Sequence, residues 1–194
     1  MITFENVSFS YEDKWVLQDF SLSIPDSGIT LLRGPSGCGK TSLLRLLAGL
    51  EQPIQGKITG ITPQQTAILF QENRLFPWRS VTQHLTDVMP PERYYEVERW
   101  LNFVELKDDR FSYPDALSGG MQRRLALGRC LALGGKLFLL DEPFAGVDPN
   151  RATRIFHRLE SLNRPVLLVS HEDSISQLAR QVITLDGPPL RQIN

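Results

Sequence analysis

Long apolar runs are missing from this chain of 194 residues. The longest, Leu137-Phe138-Leu139-Leu140 and Val166-Leu167-Leu168-Val169, fall far short of the ~20 residues that a helix needs to cross a bilayer. A surplus of positive charge is missing too, since 21 Lys and Arg against 22 Asp and Glu leave a formal charge of -1 at pH 7. Non-specific nucleic-acid binding draws on excess cations that displace counterions from phosphate, so no nucleic-acid partner is expected. Two cysteines, Cys38 and Cys130, are too few for a disulfide framework, and a reducing cytosol is their simplest home. The first residues, Met1-Ile2-Thr3-Phe4-Glu5, lack the basic and apolar segments of a secretory signal. No repeat, low-complexity tract or Gly/Ser linker divides the chain. What remains, 41% hydrophobic and 22% charged, is the composition of one globular intracellular domain.

The first stretch alternates, with Ile2, Phe4 and Val7, then Val16, Leu17, Phe20, Leu22 and Ile24, and reads as half-buried strands joined by a polar turn at Glu12-Asp13-Lys14. Ile29 to Arg33 is an apolar strand running into a glycine-rich turn, and Thr41 to Leu50 has the leucine spacing of a largely buried helix. Ala67 to Phe70 is a further strand. From Gln71 to Ser118 the texture becomes rich in Pro and charge, with helical periodicity at Val97, Trp100, Leu101 and Val104. This predicts a helical subdomain of residues 71–118 inserted after the Gln71 loop, between core segments 1–70 and 119–194. Beyond it the pattern predicts a helix over Gln122 to Leu133, strand 137–140, helix 150–162, strand 166–169, helix 173–180 and strand 181–185. Such alternation argues for an α/β fold with a mostly parallel sheet covered by helices. Asp186-Gly187 signals a turn, after which no room is expected for a C-terminal regulatory domain.

Gly34, Pro35, Ser36, Gly37, Cys38, Gly39, Lys40 and Thr41 have the spacing G-x-x-x-x-G-K-T between a strand and a helix. A triphosphate is a dense cluster of anionic oxygens. Glycines let backbone N–H groups approach it, the helix that follows adds its positive end, Lys40 can reach the β- and γ-phosphates, and Thr41 offers a hydroxyl to Mg²⁺. The pattern predicts nucleotide binding without choosing a reaction. A lone lysine after a glycine-rich turn could instead be a surface group.

The apolar strand Leu137 to Leu140 ends in Asp141-Glu142-Pro143. A buried strand holds such carboxylates at the C-terminal edge of the sheet, where open α/β folds bind ligands. Asp141 suits a metal, directly or through water, and Glu142 can orient and polarise attacking water. Two acids capping a loop would be the plainer reading. Leu117-Ser118-Gly119-Gly120-Met121 precedes Gln122-Arg123-Arg124 and an apolar-periodic stretch, which makes a second anion-binding helix start. Two such devices suggest that one serves the chain's own nucleotide and the other a partner's.

With these motifs in this order, nearly the whole chain resembles the ATP-binding cassette (ABC) family, specifically the P-loop ATPase subunit of a bacterial-type importer. The resemblance implies that Tyr11 stacks on adenine, that Gly34 to Ser42 is the phosphate loop, and that Gln71 reaches the metal and the attacking water. It implies that Ser118, Gly119 and Gly120 form the signature that meets the γ-phosphate across a head-to-tail dimer, that Asp148 lies along that interface, and that His171 contacts the γ-phosphate. ATP and Mg²⁺ are the implied ligands. The implied partners are a second ATPase subunit, as in a homodimer, and a membrane permease that would hold the chain at the inner face of the cell membrane. His84 and His157 have no motif around them and read as ordinary surface or packing residues.

Three residues depart from the family pattern. Met121 replaces the commonest glutamine of the signature, Arg123 stands where a glutamine is usual, and Gly146 loosens the aspartate loop relative to alanine. The short C-terminus also differs from importers that carry an added domain. The apolar and aromatic cluster at Leu75, Phe76, Pro77 and Trp78 is either a protein contact or packing within the insertion. Gln71 to Trp78 also resembles importers of the nitrate, sulfonate, taurine and thiamine groups. Competing expectations are an ABC ATPase that acts on DNA repair or translation machinery, which usually has a coiled-coil insertion or two fused cassettes, and a module that binds nucleotide without hydrolysis.

Overall fold

A computed structural model describes residues 1–193. Strands β1 (Ile2–Tyr11) and β2 (Lys14–Ile24) form an antiparallel hairpin, Ile2 facing Ile24 and Tyr11 facing Lys14. Strand β3 (Ile29–Arg33) starts the main sheet, and helix α1 (Lys40–Leu47) follows the glycine-rich turn. Strand β4 (Gln55–Thr59) returns to pair with the free edge of β1. It is short and exposed, without the apolar alternation that marks a strand in sequence; the open hydrogen-bonding edge of β1 recruits it. Strands β5 (Thr66–Leu69), β6 (Leu137–Asp141), β7 (Val166–Val169), β8 (Gln181–Asp186) and β9 (Arg191–Ile193) complete a sheet of order β5-β6-β7-β3-β8-β9. All its pairings are parallel except β8–β9. The exposed edge strand β9, like β4, has no signature in the sequence.

The central strands β6 and β7 are buried along their whole length, as a parallel sheet with both faces covered requires. Successive residues face opposite cores. Leu139 and Leu167 join Leu43, Leu44 and Leu47 of α1 and the inner face of the N-terminal sheet, including Phe4 and Leu22. Leu140 and Leu168 join the other core with helix α4 (Gly119–Leu133) and helix α5 (Pro149–Glu160). Helix α6 (Asp173–Leu178) lies between β7 and β8. The predicted helix to Leu50 stops at Leu47 because Gly49, at φ 68°, turns the chain; Gly49 N–H donates to Leu46 O and Leu50 N–H to Arg45 O.

Residues 71–118 hold helix α2 (Val81–Thr86), helix α3 (Val97–Phe103) and short 3₁₀ helices at Pro91–Glu96 and Pro114–Ala116. Val81, Leu85, Trp100, Leu101 and Val104 share a core with Leu125, Leu127 and Leu131 of α4. Basic side chains secure the far end of α3. Arg124 Nη1 donates to the carbonyls of Val104 and Glu105, both at 2.6 Å, and Arg158 Nη1 donates to that of Phe103 at 2.6 Å. No helix among the described residues is long and apolar enough to cross a membrane.

Candidate active site

The turn from β3 to α1 wraps the Lys40 ammonium. Gly39 caps α1 at φ 119°, a conformation that a side chain would strain, and a Cβ there would lie 2.9 Å from Val16 Cγ1. Lys40 is buried and donates to the carbonyls of Gly34 and Pro35, each at 2.8 Å. The lysine thus gathers the carbonyls of the turn around its own charge.

Across from the loop, Thr41 Oγ1 donates to Asp141 Oδ2 at 2.7 Å. Burial pushes the Asp141 carboxyl above its ordinary pKa, and the Thr41 hydroxyl bond draws it back. Glu142 follows with φ 50°, rare for a residue with a side chain and of a kind that collects at functional sites. Its N–H donates to Val169 O at 2.9 Å, so the strained turn is pinned to β7. Burial also raises the Glu142 pKa, with the Asp141 charge adding to the effect and His171 opposing it. Glu142 Oε2 accepts from the His171 N–H at 3.4 Å. Oε1 lies 3.3 Å from His171 Nε2 without hydrogen-bond geometry, a buried acceptor left unsatisfied. A carboxylate oxygen so placed is ready to take a proton or a water.

These groups line one open cleft of about 490 Å³. Its walls include Tyr11, Val16, Ser36, Gly37, Gly39, Lys40, Thr41, Ser42, Gln71, Asp141, Glu142 and His171. A nucleotide fits this set. Tyr11 lies at one end, exposed and 4.8 Å from the Phe9 ring, with its hydroxyl 3.4 Å from Glu51 Oε1. The glycine-rich turn lines the cleft too, together with Thr41, Gln71, Asp141 and Glu142, hard oxygen donors of the sort Mg²⁺ prefers. Gly34, Pro35 and Cys38 of the same loop do not line the cleft; Cys38 is buried.

Ser118, Gly119, Gly120 and Asp148 do not line this cleft. Ser118 caps α4 by accepting from the Met121 N–H at 3.3 Å, and Asp148 caps α5 by accepting from the Arg151 N–H at 3.0 Å. The two caps are neighbours, since a Cβ on Gly120 would meet Gly146 O at 2.4 Å. No side chain fits at Gly120, whereas the approach to Gly119 is open.

Beyond the expected set, Arg123 is 3% exposed at the end of β6. His84 is also buried, its Nε2 accepting from the Phe76 N–H at 3.0 Å and its Nδ1 facing Ser80 O at 2.9 Å. Those partners select the neutral tautomer protonated at Nδ1, and burial lowers its pKa. His84 is thus a packing residue that holds the loop bearing Phe76 and Trp78, whose rings are exposed and 5.5 Å apart. His157 is exposed and pairs with Glu160.

A family model described as "ABC transporter" matches residues 17–145. The aliphatic sulfonates import ATP-binding protein SsuB 1 of Paracoccus denitrificans is 35% identical over 96% of this chain and 80% of its own length. SsuB of Granulibacter bethesdensis is 38% identical over the same shares, and the sulfate/thiosulfate import ATP-binding protein CysA of Synechocystis is 32% identical over 99% of this chain and 60% of its own. The dimeric structure of MJ0796, a bacterial ABC transporter cassette, superposes with a TM-score of 0.85 at 22% identity, covering 100% of this chain and 99% of that one. At that identity the likeness establishes the fold. The family match and the relatives establish more: this chain belongs to the ABC transporter family as one of its ATPase domains.

Proposed function

We propose that this chain binds and hydrolyses ATP as one of two head-to-tail ATPase subunits, and so drives uptake of a small solute through a separate membrane permease. The observation that carries this reading is the single cleft in which Lys40, Thr41, Gln71, Asp141, Glu142 and His171 converge while Ser118 to Gly120 face elsewhere. Each chain then has one phosphate cradle and one signature that cannot serve it, which makes a pair the smallest competent unit.

The chain's own groups divide the work. The loop N–H groups and Lys40, released from Gly34 and Pro35, hold the β- and γ-phosphates. Tyr11 offers a ring to adenine. Thr41 and Asp141, which with Gln71 line the same cleft, would hold Mg²⁺, and it would supply positive charge against that developing on the phosphates. Glu142 Oε1 aligns water for in-line attack and receives its proton, and His171 orients the carboxylate from the other side. Ser118 and the N–H groups of Gly119 and Gly120 in the partner close over the γ-phosphate. Hydrolysis removes that bridge and opens the pair.

The exposed Phe76 and Trp78, five and seven residues after Gln71 and with the Phe76 N–H held by His84, suit a contact with the permease at the inner face of the membrane. The names of its relatives make sulfonates and sulfate the first solutes to assay. Phosphate release from ATP and Mg²⁺ tests the catalytic reading. Glu142→Gln is expected to retain ATP while slowing release by roughly 10²–10⁴, the range for a positioned base. Undiminished turnover in that variant would overturn the role. Lys40→Ala is expected to weaken nucleotide affinity itself, as read by titration with a fluorescent ATP analogue.

A further inference from the structure

Arg123 projects from the second turn of α4, five residues after the Ser118 cap. Its guanidinium ends in a gap between two neighbouring strand ends. Nε donates to Glu142 O at 2.8 Å and Nη2 donates to Asp141 O, at the end of β6. Nη1 donates to Phe70 O at 2.8 Å, to Gln71 O at 3.0 Å and to Asn73 Oδ1 at 3.0 Å, just beyond β5. Further along the same helix, Arg129 donates to Asn73 O at 2.8 Å and to Arg74 O at 2.7 Å. One helix therefore holds the backbone on both sides of Gln71 and directly at Asp141 and Glu142. None of these bonds uses the side chains that face the cleft.

A buried cation costs several kcal/mol of desolvation unless it is paired and fully hydrogen-bonded. Burial does push Arg123 below its ordinary pKa, and the Asp141 and Glu142 carboxylates oppose that shift. Five acceptors around one guanidinium meet the remaining requirement, and the rigid fork of arginine reaches two strands at once. Glutamine, with two amide hydrogens on a shorter stem, cannot span them.

We propose that Arg123 is a positioning residue that joins the signature helix, the Gln71 loop and the Asp141-Glu142 turn into one rigid unit, so that engagement of Ser118 with the partner's nucleotide is transmitted to the catalytic groups of Ser118's own chain. The proposal rests on the dimeric ATPase reading above and adds a route by which one site senses the other. Such coupling is a free energy shared between sites, and it is read as cooperativity.

The test compares wild type, Arg123→Gln, Arg123→Lys, Asn73→Ala and Glu142→Gln in steady-state phosphate release against ATP concentration, with ATP affinity measured separately. Arg123→Gln is expected to lower kcat about tenfold, to leave ATP affinity within about twofold and to move the Hill coefficient towards 1. Arg123→Lys keeps a cation that reaches some of the carbonyls and is expected to recover part of kcat and cooperativity. Asn73→Ala, which removes one acceptor from a half-exposed site, is expected to lower kcat about threefold. Unchanged kcat and Hill coefficient in Arg123→Gln would overturn the proposal, as would equal losses of affinity and kcat without recovery in Arg123→Lys. Should Arg123→Gln not fold, the other two variants decide, and wild-type behaviour in both overturns it. Failure of the ATPase reading looks different: wild type itself would then release no phosphate, or Glu142→Gln would release it normally.

Discussion

Glu142 illustrates what a buried, underbonded carboxylate costs the fold that holds it. Its backbone sits at φ 50°, one oxygen lacks a hydrogen-bond partner, and Asp141 lies next to it. With its folded pKa raised by burial, Glu142 binds protons more readily in the folded than in the unfolded chain. Ionisation therefore lowers stability, and the penalty is full above the folded pKa and absent below the ordinary value of 4.5. Glu142→Gln removes that penalty. Without nucleotide and Mg²⁺ it is expected to melt roughly 2–4 °C above wild type at pH 8, a shift typical of a small stabilisation in a chain of this length. The gain should fade as the pH falls through the folded pKa of Glu142 towards 4.5. Thermal melts at pH 8 and pH 5 check both parts, and an equal gain at the two pH values would overturn ionisation as its source. The place of this residue at the cleft was legible in sequence, because an apolar strand ending in two acids sets them at the C-terminal edge of the sheet. Its strain was not, since a positive φ at a glutamate leaves no mark on composition or spacing. Arg123 was visible only as a departure from a family pattern; its five acceptors come from backbone positions 70, 71, 141 and 142 and from Asn73, which only the fold assembles.

At the scale of elements, the inserted helices are tied to the core by a polar clasp as well as by their apolar faces. Glu105, just beyond α3, meets Arg154 at 2.8 Å, Arg158 at 3.2 Å and Arg151 at 3.5 Å, all from α5. The bond from Arg154 is the main cause that holds the Glu105 pKa below its ordinary 4.5. A lowered acid pKa contributes stability that is present above the unfolded value and is lost as the pH falls through the folded one. Glu105→Gln keeps the size of the side chain and is expected to cost about 1 kcal/mol at pH 7, the upper part of the range for partly exposed pairs, because three cations share one carboxylate. The loss should shrink as the pH falls below 4.5 and through the lowered folded pKa of Glu105, and urea titrations at pH 7 and at successively more acid pH measure it. The helices themselves were readable where leucines or β-branched residues recur, as in α3 and α4. Strands β4 and β9 were not, because they exist to satisfy the edges of β1 and β8, and a partner's open edge is not a property of the segment that fills it.

For the whole molecule, the separation of cleft and signature makes a prediction that no single chain can satisfy. Lys40→Ala disables the cradle and leaves the signature intact. Ser118→Glu does the reverse: the carboxylate keeps an acceptor at the start of α4, which that helix end favours, yet it would face a γ-phosphate with like charge. Each variant alone is expected to be nearly inactive. In a head-to-tail pair made of one of each, one site combines a damaged cradle with a damaged signature, and the other combines two intact halves. Random pairing of equal amounts gives half mixed pairs with one sound site in two, so the mixture is expected to recover about a quarter of wild-type phosphate release. Recovery should rise with total protein, since pairing is bimolecular. If the Ser118 cap instead served its own chain's cleft, mixing would restore nothing. If the two sites must fire together, the mixture would stay near zero while ATP still drove pairing, as light scattering or chromatography would detect. The yield therefore reports where the signature acts, and, once pairing is established, whether one sound site suffices.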